Sequence, residues 1–466
     1  MKKSLVLLIA FLVVFIFIPG GISAQEPDLA PTLGGDASIA GVLRGLLGIS
    51  FLLAIGWLLS EKRKSISWGL IGKGLLLQVI LALLILKVPF VSDIFAYVSR
   101  GFVRVISFTD FGSDFLFRSF TDGKVDSGLM NFAFRILPTI VFFSALTALL
   151  YYLNILQKVV YVFAWIMKRT LKLSGAESLS AAGNIFLGQT ESPLLIRPYL
   201  EKMTRSEMMC MMTGGMATIA GGVLASYIGF LGGDSDAERI IFAQHLLTAS
   251  LMSAPAAVIS AKLLVPETED YRKEMKLDNA KLGDNALEAV ANGTTDGLKL
   301  AINVGAMLLV FTAFIYMANY FLGDKIGDWT GLNTLISANT IYDKFTLEFI
   351  IGFLFAPVAW LLGVPSEDIV LVGQLLGEKT ILNEFYAYVT LGELKESGSF
   401  VHYKSMVMAT YILCGFANFA SIGIQIGGIG ALVPNRKGLL SKLGVKALIG
   451  GTLASLFTAA LVGMFM

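Results

Sequence analysis

Two carboxylates in this chain stand where a carboxylate is expensive. Glu191 follows Gly188-Gln189-Thr190 and precedes Ser192-Pro193, Glu384 follows Asn383, and both lie in segments that are otherwise largely apolar. An ionised side chain at mid-bilayer depth costs about 2.5–3.5 kcal/mol on insertion scales, so keeping two implies a cavity, a cation or a ligand that solvates them. The plainer alternative is that one of them lies nearer the interface. Beside them Gln189, Thr190, Asn383, Asn418 and Ser421 supply amides and hydroxyls, with no cluster of basic residues. That set suits a neutral ligand with both donors and acceptors, such as a base edge plus a diol. A phosphorylated ligand would want Arg or Lys in number, and two carboxylates would repel it. Phe416 and Val223 can wall the same pocket, whereas Phe419 reads as core packing.

A second chemistry is possible at two breaks, 218–222 and 418–423, where Gly, Ser and Thr interrupt apolar helices. A break at membrane depth frees main-chain carbonyls. With the Asn184 and Thr218 side chains these make a hard-oxygen site fit for a monovalent cation, and no carboxylate cluster marks a divalent one. The same residue types also serve simple helix packing. Neither of the two histidines, His245 and His402, sits in a His-Glu-x-x-His or Gly-x-Ser-x-Gly setting, which counts against protease or hydrolase chemistry. Cys210 and Cys414, the only cysteines, lie in apolar runs and read as buried thiols, so neither a disulfide framework nor a metal site of the CxxC type is expected, and no cofactor beyond a co-transported ion.

The elements that must hold these residues are membrane helices. Of 466 residues 55% are hydrophobic and 15% charged, the net charge is +2 and the mean hydropathy is +0.74. A soluble globule this large needs a more charged exterior, so most of the surface must face lipid, and nothing indicates a nucleic-acid partner. Full spans are expected at about 40–60, 67–88, 129–153, 207–231, 240–265, 295–322, 402–430 and 446–465. Residues 1–24 (a basic pair, an apolar run over 5–18, then Pro-Gly-Gly and small residues) are expected to be a signal peptide, with an uncleaved anchor as the alternative. The basic loops at 61–64 and 436–446 are expected inside, which leaves both mature termini outside. The charged stretch within 266–294 reads as a solvated cytoplasmic connection.

Two apolar segments fail as spans. Residues 178–200 are interrupted by 188–193, and residues 366–391 by 377–380 and by Asn383 and Glu384. Each reads as a re-entrant hairpin of two half-helices meeting at a polar tip, tolerated only where protein or a cavity covers it. Each is preceded by an amphipathic stretch (154–174 and 339–363) and followed by two spans, and the two enter from opposite sides. The fold class expected is therefore an all-α membrane protein of about eight spans plus two re-entrant helical hairpins in an inverted repeat, a plan of secondary transporters. The division runs 25–153 (spans 1–3), 154–265 (first repeat), 266–294 (connection), 295–322 (span 6) and 323–466 (second repeat). Chance likeness of Gly-rich segments is the alternative.

The runs Gly183-Asn-Ile-Phe-Leu-Gly-Gln-Thr-Glu191-Ser-Pro-Leu194, Asn383-Glu384-Phe385 and Cys414-Gly-Phe-Ala-Asn-Phe-Ala-Ser-Ile422 resemble the concentrative nucleoside transporter family, from about residue 40 to the C-terminus. The resemblance implies a homotrimer in the plasma (inner) membrane in which spans 1–3 and 6 form a scaffold and the two repeats an elevator-like transport domain. It implies that Gln189, Thr190 and Glu191 face the nucleobase, with Val223 and Phe416 beside it, and that Glu384, Asn418 and Ser421 hold the ribose hydroxyls. It places sodium, the co-transported ion, on Asn184, the Leu187 carbonyl, Thr218 and the Ile219 carbonyl. Thr218 stands where close relatives carry Ser, so the hydroxyl persists with an added methyl. Sodium-driven import of nucleosides is the function expected. Proton coupling is the alternative within the family, and an intramembrane enzyme the alternative outside it.

Overall fold

In the computed structural model residues 39–119, 125, 132–233, 235–270, 275 and 283–466 are described. The signal-peptide reading of 1–24 and much of the connection within 266–294 fall outside the described residues. Among those described every regular element is a helix, and the only β feature is one bridge between Arg118 and Val125. The chain opens with α1 (Ile39–Leu58), α2 (Trp68–Lys87), α3 (Pro89–Phe117), α4 (Phe132–Arg135), α5 (Leu137–Tyr152) and α6 (Ile155–Leu171). Then come α7 (Gly175–Gly183), α8 (Ser192–Leu195), α9 (Arg197–Leu200), α10 (Arg205–Ala217), α11 (Gly221–Gly232) and α12 (Asp236–Leu264). A long α13 (Ala286–Asn319) runs through a π-helical stretch into α14 (Asp328–Thr330) and α15 (Leu332–Asn339). The chain ends with α16 (Leu347–Leu361), α17 (Ile369–Ile381), α18 (Glu384–Glu396), α19 (Tyr403–Leu413), α20 (Phe419–Leu432) and α21 (Lys437–Phe465).

Seven helical stretches among the described residues are long and apolar enough to cross a membrane, and they fall into two classes. Ile39–Leu58, Trp68–Lys87, Phe132–Tyr152 and Ala286–Thr330 are only 17–33% buried, while Arg205–Gly232, Asp236–Leu264 and Pro434–Phe465 are 83–89% buried. Apolar helices with little burial must show their surface to lipid or to another subunit; the buried ones form the protein's interior. The expected span 402–430 divides at 414–418 into α19 and α20, each short of the about 20 residues a crossing needs.

Local chemistry explains where the helices of the interior start and stop. Ser174 caps α7 and Thr204 caps α10, each in a capping box with a glutamate three residues on (Glu177 and Glu207). Glu177 is itself buried against Lys262 of α12, so the root of the first hairpin is tied to the core. Asn383 and Asn418 cap α18 and α20 through Tyr386 N and Ser421 N, both at 2.9 Å. The breaks in α10–α11 and α19–α20 lie against each other. Gly415 has φ +108°, and a Cβ there would fall 2.6 Å from the Ala217 carbonyl carbon, so only glycine fits that crossing.

The two halves also match in element lengths. α10 and α19 have 13 and 11 residues, α11 and α20 have 12 and 14, and α12 and α21 have 29 each. Three sequence expectations need correction. Residues 377–380 are not a tip, because α17 runs helical from Ile369 to Ile381 and the turn falls at 382–383. Gly373 and Gly377 serve packing there: a Cβ on either would collide with α16, at Gly352 and at Ile351. The helix before the second hairpin, α16, is apolar along nearly all of its length and not amphipathic. Phe419 is 57% exposed, not core, since it opens α20 on the side away from the interior.

Candidate functional site

The turn of the first hairpin spans 184–191. Ser192 Oγ donates to Ser180 O at 3.1 Å, and Ser250 Oγ of α12 donates to Ile185 O at 2.8 Å, so the turn is held from both sides. Glu191 Oε2 accepts from Gly188 N at 3.0 Å, closing the tip on itself. Glu191 is exposed at this tip. The neighbouring Gln189 is buried and reaches into the other half of the molecule, where its Nε2 donates to Ser421 Oγ at 3.1 Å. Its Oε1 has no partner among the described residues. The methyl of Thr190 packs on Gly428, where a Cβ would lie 2.6 Å from it.

The second hairpin brings Glu384 to the same region. Glu384 opens α18 and is buried. Asn418 Nδ2 donates to its Oε2 at 2.6 Å, and Tyr227 Oη, from α11, donates to Oε1 at 3.3 Å. Asn418 is doubly engaged, because its Oδ1 also caps α20 at Ser421 N. Val223 and Phe416 are buried and belong to the main apolar core. The structure therefore brings Gln189, Glu384, Asn418 and Ser421 into one hydrogen-bonded set that draws on both halves of the chain. Thr190 and Glu191 occupy the adjacent tip.

At the first break the polar groups are open. Asn184 is buried, and among the described residues neither of its amide atoms has a partner. It rests against Gly214, where a Cβ would lie 2.6 Å from Nδ2. Thr218 Oγ1 donates to Gly214 O at 2.8 Å, which spends its proton and leaves its lone pairs available. Among the described residues no backbone N–H donates to the Leu187 or Ile219 carbonyl, while the Phe186 carbonyl accepts from Gly221 N at 3.3 Å. Unpaired buried oxygens are costly, and a small cation is one way to satisfy them.

Sequence reasoning missed three members of this neighbourhood. Tyr227 is fully buried, stacked on Tyr388 with ring centroids 4.0 Å apart, and nothing in the sequence ties it to a glutamate 157 residues away. Gln425 is buried, its Nε2 donating to Met212 O at 2.9 Å and its Oε1 unpartnered. Lys379 is buried on α17; in the sequence it stands beside Glu378 and reads as part of a polar hairpin tip. His245 meets Tyr411 Oη at 3.3 Å and His402 pairs with Glu367 at 3.3 Å, both as structural contacts. Both cysteines are buried and free.

Three family models match the chain: "Na+ dependent nucleoside transporter N-terminus" over 47–120, "Nucleoside recognition" over 133–234 and "Na+ dependent nucleoside transporter C-terminus" over 245–463. An uncharacterized transporter of Haemophilus influenzae is 40% identical over 428 residues, covering 91% of this chain and 98% of its own. Sodium/nucleoside cotransporter 1 of Rattus norvegicus is 38% identical over 90% of this chain, which spans 63% of that protein. A solved structure of CNTnw in an inward-facing substrate-bound state matches with a TM-score of 0.81 at 38% identity, covering 91% of this chain and 98% of the other.

Proposed function

From the premise that this chain belongs to the Na+ dependent nucleoside transporter family, and so is a multi-pass membrane transporter and not an enzyme, we propose that it imports nucleosides by sodium symport. The observation that carries this reading is the hydrogen-bonded set Gln189–Ser421 and Tyr227–Glu384–Asn418, in which a hairpin tip of each repeat meets a broken helix. A nucleoside needs donors and acceptors for its base and acceptors for its diol. In this reading Gln189, Thr190 and Glu191 take the base, Val223 and Phe416 flank the ring, and Glu384, Asn418 and Ser421 take the ribose hydroxyls.

Sodium is the coupling ion in this proposal, held by Asn184, Thr218 and the Leu187 and Ile219 carbonyls. The support is that, among the described residues, the buried Asn184 amide has no partner and no backbone N–H donates to either carbonyl, while the donor set is neutral oxygen, which suits a monovalent cation. A bound ion would brace the 188–191 tip in its ligand-ready shape, so ion and nucleoside would raise each other's affinity by the same factor, on the order of 5–150-fold.

The hairpins are proposed to be re-entrant, with the two repeats moving as an elevator within a homotrimeric scaffold. The burial split supports this division. The weakly buried stretches are the expected scaffold spans (1–3 within 25–153, and 6 at 295–322), and the deeply buried ones belong to 154–265 and 323–466. We place the protein in the plasma (inner) membrane, with the loops at 61–64 and 436–446 on the inner side and both mature termini outside.

The test is accumulation of a radiolabelled nucleoside in proteoliposomes under an inward sodium gradient. Concentrative, chemically unchanged uptake that stops when choline replaces sodium is expected. Equilibration without accumulation would mean a passive channel. Uptake indifferent to choline but driven by a pH gradient would replace sodium by protons.

A further inference from the structure

Lys379 is a charge that the cycle proposed above leaves unused. It sits on α17, five residues before Glu384, and its side chain has no solvent exposure. Nζ donates to Ile412 O at 2.8 Å, to Ser455 Oγ of α21 at 3.1 Å and, more weakly, to Cys414 O at 3.4 Å. Among the described residues it forms no salt bridge. Ile412 and Cys414 stand where α19 ends at the second break. The end of a helix presents carbonyls without intrahelical partners and a partial negative charge, and at membrane depth no water meets them. A desolvated ammonium is costly in its own right, so it persists in such a place only where fixed dipoles replace its water.

The first repeat handles the same problem differently. There the first helix of the hairpin, α7, delivers a neutral amide, Asn184, to Gly214 near the end of α10, and that amide has no partner among the described residues. The first helix of the second hairpin, α17, delivers a cation to the end of α19, and each of its contacts is an acceptor. The two breaks touch at Gly415 and Ala217, so both ends are part of one construction.

We propose that the Lys379 ammonium is the resident cation of the second repeat. It takes at the 412–414 break the place that sodium takes at the 218–219 break, and it holds 414–418 in the shape that presents Phe416 and Asn418. The chain then has one vacant cation position and couples one sodium to each nucleoside. Lys379 is a positioning residue, since it touches neither Glu384 nor the ligand groups directly. The inference rests on sodium symport.

Two measurements test it. In the wild-type protein, the nucleoside flux reversed against a set membrane potential should report about one charge, and one sodium, per nucleoside; two would overturn the proposal even if no variant folds. Choline-insensitive uptake would instead remove the symport reading itself. The second measurement compares Lys379→Ala, which opens a polar hole, with Lys379→Met, which fills it. In Lys379→Ala the Hill coefficient for sodium activation should rise from about 1 toward about 2, and nucleoside affinity lost at low sodium should return at high sodium. In Lys379→Met affinity should fall about tenfold or more, and sodium should not restore it. A merely structural lysine predicts equal losses in both variants with the Hill coefficient unchanged, and that result, or wild-type behaviour in both, would refute the assignment.

Discussion

Replacing Glu384 by Gln is the sharpest test of how the ribose would be held. A carboxylate offers about four lone-pair positions. Two are taken here, by Asn418 at 2.6 Å and Tyr227 at 3.3 Å, which leaves two acceptor positions for the two hydroxyls of a diol. Charge-assisted hydrogen bonds contribute about 1.5–3 kcal/mol each. Gln keeps one oxygen, which Asn418 claims first, while the new amide N–H₂ can donate to Tyr227 Oη. At most one weaker, neutral bond to the diol survives. The net loss is about 3 kcal/mol, or roughly 100-fold in Kd. Removing the hydroxyls from the ligand should cost the wild type a similar amount. Equilibrium binding of a nucleoside and its 2′,3′-dideoxy analogue to both proteins closes a double-mutant cycle. The analogue should bind Glu384→Gln less than about tenfold more weakly than the parent nucleoside does. If the two losses add in full, Glu384 does not contact the diol, and wild-type affinity in the variant would dispose of the role altogether.

Glu191→Gln should change the ranking among bases more than the affinity for ribose analogues, and a proportional loss across a nucleoside panel would make Glu191 a coupling or structural group. Thr218→Val removes a proposed ion ligand, so the sodium concentration for half-maximal uptake should rise while nucleoside affinity recovers at saturating sodium; an unchanged sodium curve would clear Thr218 of ion binding. Glu61, in the loop between α1 and α2, accepts from Arg205 at 3.0 and 2.7 Å and from Lys446 at 2.6 Å. The Arg205 bond, above all, lowers its pKa to about 2. A pKa below the ordinary 4.5 means its contribution is full above about pH 4.5 and fades as pH falls toward 2. Because the group is partly exposed, that contribution is about 1 kcal/mol. Glu61→Gln should therefore melt about one degree lower at pH 7, with the gap narrowing below pH 4.5, and a gap that stays constant down to pH 3 would contradict the linkage.

How much was legible beforehand follows from what is local and what is not. Hydropathy, charge asymmetry and helix breakers are properties of neighbouring residues, so the membrane character, the positions of most spans and the existence of two interrupted segments could be read directly from the chain. The motif around Glu191, the Asn383-Glu384 pair and the run to Ile422 likewise named the family and its candidate residues. Partners and depth are decided elsewhere. Gln189 meets Ser421 across 232 residues and Glu384 meets Tyr227 across 157, contacts made only because distant segments of the chain cross. Gly377 looked like a helix breaker, but its role depends on α16, against which a side chain would collide, so the helix continues and carries Lys379 into the core. Phe419 looked like core and faces outward, because an aromatic ring in a membrane chain can be covered by lipid as well as by protein. A residue type shows what a side chain can do, but the packing of helices far apart in the chain decides which groups a buried charge or amide finds.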